Sequence, residues 1–117
     1  MKHSLAIVVS WVAFAAVAEA QSPFDGLYYP TGSAGWDCRT LGADMGALGV
    51  LDGFLEGVEN RCAMTNPVNV RDLPAVLYDL ECSGEGTTYA ERVMLMRSDQ
   101  GIYVIRDGYV AEWSRCP

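Results

Sequence analysis

Aspartate–glycine pairs punctuate the chain at Asp25-Gly26, Asp52-Gly53 and Asp107-Gly108, with Asp99-Gln100-Gly101 as a looser relative. Such pairs favour tight hairpins, because glycine takes positive φ without a Cβ clash and aspartate tolerates it. Between and around them lie short apolar and aromatic runs at 26–29, 47–51, 54–59, 75–83, 89–97, 102–106 and 109–116. In 75–83 the alternation is clear: Val76, Tyr78, Leu80 and Cys82 share one face, while Asp79 and Glu81 face the other way. Residues 93–96 and 102–105 are apolar on both faces, as central or closed-barrel strands require. Helical signals are thin, and Asp72 with Pro74 permits at most one short turn over 70–74. The pattern predicts an all-β fold, a small antiparallel meander closing into a barrel or a curled sheet.

The first twenty residues carry a different pattern. Met1-Lys2-His3 gives a short positive start, residues 5–17 are an almost unbroken apolar run, and Ala18-Glu19-Ala20 offers a small-residue cleavage point. An apolar helix of that length spans about 20 Å, short of the roughly 30 Å hydrocarbon core. Residues 1–20 therefore read as a secretion signal, and residues 21–117 as one exported domain, periplasmic or extracellular. The first mature residue would be Gln21 rather than a lipidated cysteine, so no stable membrane insertion is expected after cleavage.

Cleavage would remove the only lysine, Lys2, and the only histidine, His3. Lys2 and Glu19 cancel, so the domain would keep the formal charge of −7. A chain this acidic with no basic cluster is a poor nucleic-acid binder. With no histidine base and no Schiff-base lysine, an enzyme would have to use acids, arginines, hydroxyls and tyrosines. Glu81 and Glu85 form a possible acid–base pair for glycoside chemistry, but one belongs to an outward strand face and the other to a glycine-flanked turn. Ser83 lacks an activating base. Asp52, Glu56 and Glu59 offer carboxylates, yet their spacing scatters them over both faces of a strand and does not suit a calcium loop. The reading is a protein that is not an enzyme, with no cofactor and no metal site.

Cys38, Cys62, Cys82 and Cys116 all lie in the expected domain and fit an oxidising compartment. Their spacings lack the short paired knuckles of a zinc site. Of the three pairings available, Cys38 with Cys62 and Cys82 with Cys116 are expected, since each would join segments adjacent in a meander.

The most distinctive polar run is Ser83-Gly84-Glu85-Gly86-Thr87-Thr88, ahead of Tyr89. Its glycines permit close backbone approach, and its hydroxyls and carboxylate offer hydrogen bonds. Ser83, Gly84, Glu85, Thr87 and Tyr89 form the candidate binding loop. A second polar loop is expected at 65–69. Among the aromatics Tyr28, Tyr29, Trp36, Tyr78, Tyr89, Tyr103, Tyr109 and Trp113, most must fill the core. Tyr28 and Tyr29 must point to opposite faces if they lie on a strand.

Trp36-Asp37-Cys38 and Ser83-Gly84 followed by Tyr89 give the chain a resemblance to small exported β-barrel inhibitors of C-type lysozyme. That resemblance implies a barrel that binds a basic hydrolase through a loop serine, here Ser83, together with a lysine. The expected domain has no lysine, so an arginine such as Arg92 or Arg97 would have to supply the cation. The function expected is a non-enzymatic exported binding domain for a protein or ligand, possible partners including a basic hydrolase such as lysozyme. The alternative is a structural or stress-related envelope protein with no dedicated site. Oligomeric state is not legible in the sequence.

Overall fold

The computed structural model describes residues 22–117. The expected signal and its cleavage point before Gln21 lie outside the described residues. Eight strands follow one another: β1 (Gly26–Pro30), β2 (Leu48–Leu51), β3 (Phe54–Gly57), β4 (Asn60–Asn69), β5 (Ala75–Gly84), β6 (Thr87–Arg97), β7 (Gly101–Arg106) and β8 (Tyr109–Arg115). Each pairs antiparallel with its successor, and β8 returns to β1, so the sheet closes into a barrel. The meander is the barrel of the two architectures its sequence allows.

Tight turns set the register. Asp52-Gly53 and Glu85-Gly86 have positive φ at both central residues (53° and 81°, 50° and 78°), the backbone a type I′ hairpin needs. Asp107-Gly108 also makes a two-residue turn, with Arg106 opposite Tyr109. Asp25-Gly26 is not a hairpin and instead leads into β1. Residues 70–74 form a turn closed by Val70 N–H donating to the Ala75 carbonyl, with no helix.

Eight strands enclose an interior that side chains can fill. Tyr28, Val50, Leu55, Leu80, Val93, Leu95, Ile102 and Val104 are fully buried there. Each such burial stabilises by about 1.5–3 kcal/mol. The alternation in β5 holds as expected, with Val76, Tyr78, Leu80 and Cys82 inward. Phe24 closes one end, its carbonyl accepting a hydrogen bond from the Tyr28 hydroxyl. Burial holds the Tyr28 phenol above its ordinary value, against the lowering effect of Arg115. Tyr29 takes the opposite face and is half-buried.

Two expectations are corrected. Residues 65–69 are not a loop but the second half of β4, and a bulge between Thr65 and Val68 accommodates Asn66 and Pro67. The disulfides are Cys38–Cys116 and Cys62–Cys82, not Cys38–Cys62 and Cys82–Cys116. The first correction explains the second. With β4 inserted between β3 and β5, Cys62 stands directly opposite Cys82 on the inner face. Cys38 belongs to the long connection from β1 to β2. That segment runs back to the seam where Cys116 N–H donates to the Leu27 carbonyl.

Candidate functional site at the hairpin tips

Strands alternate in direction, so the β3–β4, β5–β6 and β7–β8 turns lie at one end of the barrel. The first two touch. Asn60 pairs with Gly84 across β4 and β5. A Cβ at Gly84 would come within 2.8 Å of the Glu59 carbonyl and 2.9 Å of Asn60 Cβ, so only glycine lets the tips meet. Asn60 Oδ1 accepts from Gly57 N–H at 3.0 Å, and its Nδ2 donates to the Tyr89 hydroxyl at 3.4 Å. Thr87 Oγ1 donates to the Gly84 carbonyl at 3.0 Å. From outside the pair, the Gly42 carbonyl accepts from Glu59 N–H at 2.9 Å. The tips are therefore braced on three sides.

The expected six-residue loop is a two-residue turn, and strand alternation divides its residues between faces. Gly84, Glu85, Thr87 and Tyr89 line a depression of 230 Å³ with Val58, Glu59 and Asn60. Ser83 lies on the outer face opposite Arg61 and lines a second depression of 220 Å³ with Leu41, Gly42, Glu56, Glu59, Asn60 and Arg61. Glu59 and Asn60 form the wall the two share. The structure thus brings four of the five candidate residues together and sets Ser83 on the far side of that wall. As binding residues Val58, Glu59 and Asn60 escaped the sequence reading, which placed 58 and 59 in a strand over 54–59 and weighed Glu59 only for a calcium loop. The available signal was the interruption of an apolar run by Glu59-Asn60, a polar pair at hairpin distance from the 54–57 run.

The charges near the tips are unequal. Arg61 Nε bonds Glu56 Oε1 at 2.8 Å, and its guanidinium lies 3.5 Å from the centre of the Phe54 ring. Glu59 and Glu85 are exposed, and neither makes an ion pair among the described residues. The two arginines suggested as substitutes for a lysine lie elsewhere. Arg92 is bonded to Asp79 at 2.9 Å on the outer face, and Arg97 lies at the opposite barrel end beside Phe24 and Leu73.

Other constellations resolve into structural roles. Asp52 and Glu59 sit at opposite ends of β3, and Glu56 is taken by Arg61, so the three carboxylates do not converge. Sulfurs of Cys62 and Cys82 lie within 4.8 Å of a Glu91 carboxylate oxygen. Those sulfurs are joined to each other and Glu91 accepts from Arg106 Nε at 2.9 Å, so the group is not a free ligand set. Glu81 is outward on β5 and Glu85 is in the turn, too differently placed to act as an acid–base pair on one bond.

Comparison with known proteins returns no family model, no curated protein and no solved structure that matches this chain.

Proposed function

We propose that this chain is an exported, non-enzymatic binding protein whose paired hairpin tips recognise a basic protein, with C-type lysozyme the first partner to test. The observation that carries the reading is the contact of the two tips across Gly84. It fixes the backbone that carries the free carboxylates of Glu59 and Glu85 beside the half-exposed Tyr89 ring. A pre-ordered turn backbone loses little entropy on binding, and opposite charge steers a cationic partner toward its carboxylates. Two disulfides in a small β domain fit an oxidising, exported compartment. In this reading the acidic tips stand in place of the serine–cation pair of the lysozyme inhibitors, since Ser83 lies beyond the shared wall and its neighbour Arg61 is bonded to Glu56.

The test is affinity for lysozyme at physiological salt, with Asp107→Ala at a third turn as the charge control. Glu59→Ala with Glu85→Ala should weaken binding about tenfold or more, whereas Asp107→Ala should change it little. Affinity should fall as salt rises. Equal losses in both variants, or no binding at physiological salt, would leave only generic charge attraction and end the proposal.

A further inference from the structure

The barrel is closed, but its strands differ in length, and β4, β6 and β8 each run past one neighbour. β6 pairs with β5 from Thr87 to Met96, all but its last residue. It pairs with β7 only from Met94 to Arg97, because β7 turns back at Asp107-Gly108. The two-residue Glu85-Gly86 turn makes Gly84 and Thr87 a hydrogen-bonded pair. By alternation Tyr89 and Glu91 then direct their backbone groups to β5, and Thr88, Ala90 and Arg92 direct theirs outward. All three are exposed, and no described residue takes up their outward N–H or C=O groups.

Exposed strand edges are templates for further strands. Beside this one lies a depression of 430 Å³, running from Thr65 and Asn66 past Asp79 and Glu81 to Ala90. Ala90 pairs with Glu81, so its single methyl forms the low wall between the open edge and that carboxylate. Asp79 is already held by Asn66 at 3.0 Å and by Arg92 at 2.9 Å. Glu81 is exposed and makes no ion pair among the described residues.

We infer that the Thr88–Ala90–Arg92 edge accepts an extended segment of a basic partner as a ninth strand, with a lysine or arginine opposite Ala90 reaching Glu81. Backbone bonds would supply affinity and the groove would supply selection for the cation. The partner is a basic extended chain rather than a second copy, because two copies would bring formal charges of −7 together. This inference rests on the proposed basic partner and adds how it is held.

A capped Thr-Val-Lys-Val-Thr peptide tests it directly. Paired antiparallel, its lysine falls opposite Ala90 and one valine faces Tyr89. Hydrogen exchange on the peptide-bound protein should show protection of the Thr88, Ala90 and Arg92 amides. A counterpart with glutamate in place of lysine should bind at least about tenfold more weakly. Ala90→Pro removes only an outward donor, which an edge tolerates, and should abolish binding. Ala90→Arg keeps the backbone but fills the groove, and should do the same. Unprotected amides under saturating peptide would overturn the inference, even if lysozyme still binds the tips. A dimer of the free protein that Ala90→Pro dissolves would also overturn it, assigning the edge to a second copy. Edge protection without any lysozyme binding would instead retain the edge and remove the proposed function.

Discussion

Cys62 and Cys82 face one another across β4 and β5 with Cα atoms 3.9 Å apart, so their disulfide joins residues that the strand ladder already pairs. Cys38 and Cys116 are 78 residues apart and are held together by no strand pairing of their own. The chain-entropy argument gives roughly 4.5 kcal/mol for the long closure and roughly 3.3 kcal/mol for the short one at 25 °C. Accessibility differs in the same direction. Cys62 and Cys82 are 2% and 4% exposed inside the barrel, whereas Cys38 and Cys116 are half-buried at its surface. Limited reductant should therefore open Cys38–Cys116 first. Alkylation and peptide mapping will show it, and urea unfolding of that species should report the larger part of the disulfide contribution.

Gly101 is fixed by its neighbour. A Cβ there would lie 2.1 Å from the Trp113 carbonyl oxygen and 3.0 Å from Arg115 N–H nitrogen. Strand β7 would have to move off β8 at the point where Ile102 and Trp113 pair in the core. Gly101→Ala should cost about 2–3 kcal/mol. Gly108→Ala has open space around it but a φ of 73°, so it should cost only about 1 kcal/mol through backbone strain. Thermal unfolding of the two variants compares close approach with conformation.

How much of this was legible follows from which residues carried a period. In β5 the inward set from Val76 to Cys82 has no interruption, and its face assignment stands in the structure. The type I′ turn at Asp52-Gly53 was readable from its residue pair alone. Strand β4 was not, because Asn66-Pro67 normally breaks a strand. Here the bulge between Thr65 and Val68 places that pair on a stretch that β3 does not reach, so proline loses no ladder bond to it. The disulfide error followed directly, since without β4 nothing sets Cys62 opposite Cys82. At the tips, the run from Ser83 to Thr88 read as one loop because its composition is uniformly polar. Glu85 adopting a φ of 50° shortens the turn to two residues and sends Ser83 and Tyr89 to opposite faces.

Glu91 is an acid on an inward position, opposite Leu80 and near the Cys62–Cys82 bridge. It is kept there by Arg106, whose Nε lies 2.9 Å from Oε1, with both side chains only about a third exposed. Removing one partner leaves the other half-buried and unpaired. Glu91→Ala should cost about 1–2 kcal/mol, and Arg106→Ala a similar amount. Because the two act on one interaction, the double variant should cost less than the sum of the singles. Urea midpoints of the four proteins give the coupling directly, and strict additivity would show that the pair is held by its surroundings rather than by each other.

Acid titration should reveal two carboxylates with opposite effects. Hydrogen bonds from Asn66 and then Arg92 hold Asp79 below its ordinary value of 3.8. The folded state therefore binds that proton less tightly than the unfolded chain, and the contribution of Asp79 is present above about pH 4 and lost as pH falls through its lowered value. Asp25 is shifted the other way, first by burial and then by the negative charge of Asp52, and its Oδ1 is buried without a hydrogen-bond partner. The folded state binds the Asp25 proton more tightly, so its ionised form costs stability at neutral pH, and that cost disappears as pH falls through the raised value. Asp25→Asn should thus raise the unfolding temperature at pH 7 and make little difference at pH 3, where both states are protonated. Asp79→Asn should lower it at pH 7, and its deficit should also shrink toward pH 3. Asp52→Asn, at a position where φ of 53° suits asparagine, should reproduce part of the Asp25→Asn gain at pH 7 by removing the neighbouring charge. Melting curves at the two pH values for these three variants separate the effects, and a destabilised Asp25→Asn at pH 7 would mean that its carboxylate makes a bond whose loss outweighs its buried charge.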